Sequence, residues 1–348
     1  MSLESIPGQP RAKRFLRGLV GRGRIPHALL FSGLPGTGKR AMALELAKLL
    51  NCLEPDEEHG DCCDHCLPCR KVDGGLHPDF LLIRKDGTFI KIEQIREVRG
   101  RLRYRPAEAR WRVVVIEEAQ SLREEAGNAL LKMLEEPPQR NLFVLTVPEP
   151  QMLLPTLVSR CCQVRFQPLE DAWIEEYLVR THGLEPAAAK DAARLAQGSL
   201  ERALQMAQSD HLDRSREVIV RLTKLCSEPM LDFFITTDQW AKKSEDLEGD
   251  LECIRLWLRD LLLFRLTRGQ HHPAFALDSQ TIQAVWGVSP ESLFSLYDQS
   301  EKAMQHLRGN ANKQLTLEGL CMAIKDELYG YGKGCGHPVS HGRESLSL

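Results

Sequence analysis

Short apolar runs alternate with amphipathic stretches through residues 1–167. Ala28-Leu29-Leu30-Phe31-Ser32, Phe80 to Ile83, Trp111 to Ile116 with its Val113-Val114-Val115-Ile116 core, Phe143 to Thr146 and Gln163 to Phe166 are the runs. Unbroken apolarity of this kind, without polar alternation, marks strands buried on both faces of a parallel sheet. Ile90-Lys91-Ile92 reads as a further extended piece. Between the runs the spacing becomes helical: Phe15, Leu16, Leu19 and Val20 within 6–24, then 41–50, 93–103, and 126–136, which Pro137-Pro138 terminates. Strands alternating with helices predict an α/β domain, a parallel sheet with helices on both faces.

From Glu170 the strand signal ends. Trp173–Thr181, Pro186–Ala196 and Leu200–Gln208 read as three short helices broken at Gly183 and Gly198. Longer amphipathic stretches follow at 213–226, 230–242, 250–268, 281–285, 290–307 and 315–329, the pattern of one helical bundle. Residues 331–348 are rich in glycine, serine and histidine and are expected to be disordered. Cys335, His337 and His341 in this tail form a weaker metal candidate. The expected division is therefore 1–167, 168–210, 211–330 and a tail.

Composition narrows the function classes. The 46 basic and 48 acidic residues nearly cancel, so any nucleic-acid contact has to come from a local patch. Arg11, Lys13, Arg14, Arg17, Arg22 and Arg24 give the first helix such a patch, though a solvated face reads equally well. No stretch is long and apolar enough to span a membrane and no signal core opens the chain, so a cytoplasmic location is expected. A reducing cytosol disfavours disulfides, and the 11 cysteines point instead to metal. Cys63-x2-Cys66-x2-Cys69 with Cys52 upstream offers four thiolates for a tetrahedral, structural Zn²⁺ in a module at 52–69. Cys62 competes with Cys63 for one position, and even spacing favours Cys63.

The densest chemistry lies at Gly33-Leu34-Pro35-Gly36-Thr37-Gly38-Lys39-Arg40. It fits the phosphate-loop frame, in which backbone N–H groups and a helix N-terminus surround an anion and the lysine reaches the outer phosphates. The frame ends in Ser or Thr to hold Mg²⁺, whereas Arg40 has no lone pair to offer a metal. ATP or ADP binding is open, and hydrolysis is expected to be weak. Glu117-Glu118 follow a buried strand, at the edge where α/β sheets bind ligands. Glu117 would contact a nucleotide's metal and Glu118 would stand at the position of the water-activating base. An exposed acidic turn is the alternative.

Ile25-Pro26-His27-Ala28-Leu29-Leu30-Phe31-Ser32-Gly33, the four-cysteine insert, Leu130-Leu131-Lys132-Met133-Leu134-Glu135-Glu136-Pro137-Pro138 and Ser159-Arg160-Cys161 together resemble the clamp-loader ATPases of bacterial DNA polymerase III. The resemblance covers roughly 5–210 by motif. It implies an AAA+ module with a zinc insert, a three-helix lid at 168–210 and a helical collar at 211–330 that joins five subunits in a ring. Its gamma/tau motors carry a hydroxyl residue, Asp-Glu and a lid arginine where this chain has Arg40, Glu117 and Glu201. The delta-prime branch therefore fits better, and the motor and a solitary P-loop protein outside replication are the alternatives. The resemblance further implies gamma/tau and delta subunits as partners, with a sliding clamp and primed DNA reached through the complex. It also implies that Arg160 acts as an arginine finger toward a neighbour's ATP.

Overall fold

A computed structural model describes residues 3–56, 59–207, 209–244, 246–271, 273, 275, 277, 279–309 and 311–330. The tail candidates Cys335, His337 and His341 lie outside these. The chain divides into two compact units, Met1–Ala207 and Gln208–Leu348.

The first unit has an α/β architecture, a parallel sheet with helices on both faces. Its strands are β1 (Ala28–Ser32), β2 (Phe80–Ile83), β3 (Arg112–Ile116), β4 (Asn141–Val147) and β5 (Cys162–Arg165). They form one sheet in the order β2-β3-β4-β1-β5, every pairing parallel. β4 is central, β1 lies between it and the edge strand β5, and the C-terminal end of β1 feeds the phosphate loop. Side chains alternate between two cores, as a two-residue pleat requires. Leu29, Phe31, Val113, Val115, Leu142 and Val144 face one core, which α1 (Pro10–Gly21) and α2 (Lys39–Asn51) cover. Ala28, Leu30, Val114, Ile116, Phe143 and Leu145 face the other, which α4 (Ile92–Leu102) and α5 (Glu124–Glu135) cover. The cysteine segment includes α3 (Leu67–Asp73).

One local expectation changes. Ile90 makes a single bridge to Leu122 rather than a strand, and Ile92 already begins α4. The Gln94 side chain accepts the Lys91 N–H and so turns the chain into the helix. Residues 67–73 are helical, with Cys66 at the N-cap and Pro68 in the first turn.

After α6 (Pro155–Val158) and β5 come α7 (Asp171–His182), α8 (Pro186–Ala196) and α9 (Leu200–Met206). They belong to the first unit and pack on one another through Ala189, Ala192, Ala193 and Ala203, all buried. The second unit is all helical: α10 (Ser209–Ser227), α11 (Met230–Lys243), α12 (Leu247–Leu266), α13 (Ser279–Gly287), α14 (Pro290–Arg308) and α15 (Lys313–Tyr329). Its core centres on α12, with Trp257, Leu258 and Leu261 buried. The Lys325 ammonium is buried as well, donating to the Cys226 and Glu228 carbonyls at the end of α10. Carbonyls left over at a helix C-terminus are suitable partners for such a cation.

Asp79, just before β2, fixes the sheet's outer edge. Fully buried, it accepts the Ala107, Glu108 and Ala109 N–H groups and pairs with buried Arg112 at 3.0 Å. Arg112 also donates to the Arg101, Tyr104 and Arg105 carbonyls. Burial opposes the Asp79 charge, but those N–H donors and Arg112 outweigh it and hold its carboxyl below the ordinary value. Asp79→Ala should cost about 3–5 kcal/mol, since it strands a buried guanidinium. The contribution is complete above the unfolded value of ~3.9 and is lost as pH falls through the depressed folded value. Urea titrations of both proteins across pH 2–7 should therefore converge at the acid end.

Candidate phosphate-loop cleft and cysteine centre

The phosphate loop turns on glycines that hold backbone no other residue favours. Gly33, Gly36 and Gly38 have φ of 147°, 70° and 91°. Space demands glycine too. A Cβ on Gly33 would lie 2.6 Å from the Phe166 carbonyl oxygen, and one on Gly36 would lie 2.5 Å from the Glu201 backbone nitrogen. The three-helix lid thus rests against the loop backbone. Gln9, buried and itself left-handed at φ 59°, staples the same region. Its amide donates to the carbonyls of Thr37 at 3.3 Å and Gln167 at 2.7 Å and accepts the Gln167 N–H at 2.8 Å.

Lys39 opens α2 but turns inward, donating to the Gly33 and Leu34 carbonyls at 2.6 Å each. Burial depresses its amine to about 8, although Glu201 and Glu118 favour the charge. Thr37 likewise donates to the Leu34 carbonyl. The cleft of about 680 Å³ in front of the loop is lined by Lys39, Arg40, Glu117, Glu118, Thr146 and Glu201. Both carboxylates at the end of β3 already face cations. Glu117 meets Arg84 at 3.0 Å and Arg40 at 3.9 Å, and Glu118 meets Lys85 at 2.8 Å. Glu118 is left-handed at φ 51° and its N–H donates to Thr146. The structure therefore brings Gly36, Gly38, Lys39, Arg40, Glu117 and Glu118 to one cleft, with Gly33 and Thr37 in the loop behind it. Arg40 stands there as a partner for Glu117 rather than as an oxygen ligand.

The cysteine segment resolves the ambiguity between Cys62 and Cys63. The sulfurs of Cys52, Cys63, Cys66 and Cys69 all lie within 4.8 Å of one another. Cys52 Sγ is 3.5 Å from Cys63 Sγ and 3.9 Å from Cys66 Sγ. A tetrahedral thiolate site with bonds of about 2.3 Å has its sulfurs about 3.8 Å apart, so the quartet can hold a metal. The Cys63 and Cys66 N–H groups point at the Cys52 and Cys63 sulfurs. Burial opposes thiolate formation at Cys66, yet backbone N–H groups of Leu53 and Cys69 draw it down to about 7.

Cys62 turns the other way, toward Glu45 and Asp64. These three also converge as a possible cation site. Lys48 supplies the cation there: its buried ammonium lies 2.9 Å from Glu45, 2.6 Å from Asp64 and 3.1 Å from Asp73. Burial disfavours that charge, but the three carboxylates raise its proton affinity above the ordinary value. This hub ties the cysteine module to α2, the helix that starts at the phosphate loop. Sequence reading missed it, although Glu45 and Lys48, three apart inside the mostly apolar stretch 41–50, were a visible signal.

Arg160 lies between α6 and the edge strand β5, its side chain 35% exposed. It donates to Glu135 Oε1 at 2.8 Å and to the Thr156 carbonyl at 3.0 Å.

A family model described as DNA polymerase III, delta subunit matches residues 8–170. The delta-prime subunit of DNA polymerase III from Bacillus subtilis is 30% identical over 322 residues, covering 91% of this chain and 96% of that protein. The chain belongs to the delta-prime family of DNA polymerase III subunits. The Escherichia coli delta-prime subunit is 33% identical over 255 residues, 72% of each chain. The tau subunit of the same organism is 36% identical over 209 residues, but these are only 32% of its length. Among solved structures, a gamma-subunit-related protein of Thermotoga maritima aligns over 91% of this chain and 99% of its own, at 19% identity and TM-score 0.44.

Both delta-prime matches extend past the lid, whereas the tau match amounts to 58% of the chain. Membership also removes the reading as a P-loop protein outside replication. In this delta-prime chain Lys39 should titrate near pH 8. The folded value lies below the unfolded ~10.4, so folding disfavours its proton and this group's contribution to stability rises between about pH 8 and 10.4. NMR of ¹³C-methylated lysines, with Lys39→Arg to assign the resonance, reads the midpoint. Glu201→Gln should lower it further, and a wild-type midpoint above 10 would contradict the buried geometry.

Proposed function

We infer that the chain is a delta-prime subunit of a bacterial DNA polymerase III clamp loader. It acts with gamma/tau and delta subunits in a hetero-pentameric ring that places a sliding clamp on primed DNA in the cytoplasm. The observation that carries this reading is a contrast within the first unit. In the chain's own phosphate loop Lys39 bonds the loop carbonyls and Arg40 faces Glu117, while Arg160 stands partly exposed beside an edge strand. A subunit built so would hold ATP poorly and would complete a neighbour's site. No helix among the described residues is long and apolar enough to cross a membrane.

The proposed division is 1–167 for the AAA+ domain, 168–210 for the lid and 211–330 for the collar. Leu231, Phe234 and Ile235 give α11 an exposed apolar stripe at helical spacing, which supports an assembly role for the collar. As an arginine finger, Arg160 would stabilise charge on the transferring phosphoryl oxygens, a contribution of roughly 10³–10⁵ in rate at the site served. Arg40 and Glu117 remove the hydroxyl and alter the acidic residue that a Mg²⁺–nucleotide complex uses, so hydrolysis by the isolated chain should be negligible.

The quartet Cys52, Cys63, Cys66 and Cys69 would hold Zn²⁺ as a structural ion, since four protein thiolates leave no position open for water. Purified protein should carry about one zinc per chain. Cys66→Ser should abolish retention, and Cys62→Ser should leave it intact because Cys62 faces Lys48's carboxylates. Metal analysis of both variants decides this, and full zinc in Cys66→Ser would exclude the quartet as the site.

Arg160→Ala tests the functional reading directly. Loss of a partly exposed ion pair should change stability by less than about 1 kcal/mol. Ring assembly, checked by sizing, should persist. Clamp- and DNA-stimulated ATP hydrolysis by the rebuilt complex should fall, and Arg160→Lys should restore it incompletely because a point charge lacks the planar fork. Unchanged rates in an intact Arg160→Ala complex would exclude the finger.

A further inference from the structure

We propose that Glu135 is a positioning residue for Arg160, an inference that rests on the arginine-finger reading. Glu135 is the last residue of α5, and α5 packs on the sheet through Leu130, Met133 and Leu134, all buried. Its backbone is therefore fixed, and Pro137-Pro138 prevent the helix from extending past it. Arg160 sits on a short connection, two residues past the end of the four-residue α6 and two before β5, where backbone alone fixes a long side chain poorly.

Two groups supply the missing restraint. Glu135 Oε1 accepts from one guanidinium nitrogen at 2.8 Å, and the Thr156 carbonyl accepts from the other terminal nitrogen at 3.0 Å. Ser159 Oγ lies 3.5 Å from that second nitrogen and itself donates to the Thr156 carbonyl at 3.0 Å. A carboxylate on a rigid helix and a carbonyl on the turn thus hold the two ends of the planar fork. A guanidinium has five N–H donors, so two such bonds leave others for phosphate oxygens. The arginine is oriented in advance, and the neighbouring active site does not bear the entropy of ordering it.

Glu135 also lines a cleft of about 500 Å³ with Arg99, Arg103, Lys132 and Glu136. These cations lie on α4, α5 and the turn that follows α4. The motif Leu-Glu-Glu-Pro-Pro at 134–138 and the motif Ser-Arg-Cys at 159–161 therefore meet at one ion pair, though 25 residues separate its members.

The test uses the complete clamp-loader complex rebuilt with four forms of this subunit: Glu135→Ala, Glu135→Gln, Arg160→Ala and the double variant. Assembly and thermal unfolding are checked first for each. Stimulated ATP hydrolysis should fall several-fold in Glu135→Ala at unchanged KM for ATP. Glu135→Gln, which keeps an acceptor oxygen at the same place, should recover most of the loss. The double variant should be no slower than Arg160→Ala alone, because Glu135 acts only through the arginine. Additive losses in the double variant, or a normal rate in Glu135→Ala beside a depressed Arg160→Ala, would overturn the positioning role while leaving the finger standing. A faster Glu135→Ala would also overturn it, showing a latch that withholds the arginine. A normal rate in Arg160→Ala would instead overturn the finger reading itself.

Discussion

The close approach of two backbones at Gly36 and Glu201 governs how the first unit can behave. Any side chain at Gly36 would overlap the lid's main chain, and the left-handed φ already excludes most residues. Gly33 repeats the constraint against Phe166 at the end of the sheet. The loop is therefore clasped between the strand below and the lid above, and Gln9 joins the two by bonding both Thr37 and Gln167. Once the loop is clasped, Lys39 has little solvent and bonds the carbonyls of its own turn. The lysine that would meet an anion here bonds protein carbonyls.

Charge follows from that closure. A hydroxyl at position 40 would present lone pairs to a metal, but a guanidinium presents donors, and it comes to face Glu117. Arg84 and Lys85 add two more cations at the same sheet edge. These exposed pairs contribute little stability each, roughly 0–1 kcal/mol. Their effect is on chemistry: a carboxylate that answers an arginine is less available to a magnesium ion.

The sheet, its buried strands and the helical second unit were legible because strand burial on both faces leaves an unbroken apolar signature, and helical period survives in any order. The cysteine quartet was legible from spacing. The choice between Cys62 and Cys63 rested on even spacing. What spacing alone leaves out is Lys48, whose three carboxylate partners come from α2 itself and from residues 16 and 25 positions further on. Those partners claim the side of the turn toward which Cys62 points, leaving Cys63 for the quartet. Asp79 and Arg112 were hidden for the same reason. A buried ion pair is decided by which distant elements meet, and local pattern carries no record of that. Ile90 to Ile92 failed differently, since two β-branched residues imitate a strand until a capping side chain turns them into a helix.

On the proposed reading, Glu135 and Arg160 let a rigid subunit still take part in catalysis. A motor needs a loop that opens, exchanges nucleotide and closes. A trans-acting cation needs the reverse, a side chain held at one place against its own entropy, roughly 2 kcal/mol for an arginine. Fixing the phosphate loop, stapling the lid and anchoring the cysteine module to α2 all reduce internal freedom in the unit that carries Arg160. The end of α5, packed on the same sheet, then transmits that rigidity to the guanidinium through one carboxylate. On the proposed reading, loss of turnover in this chain's own loop and precision at its Arg160 have a single physical origin: both follow from a first unit with few remaining ways to move.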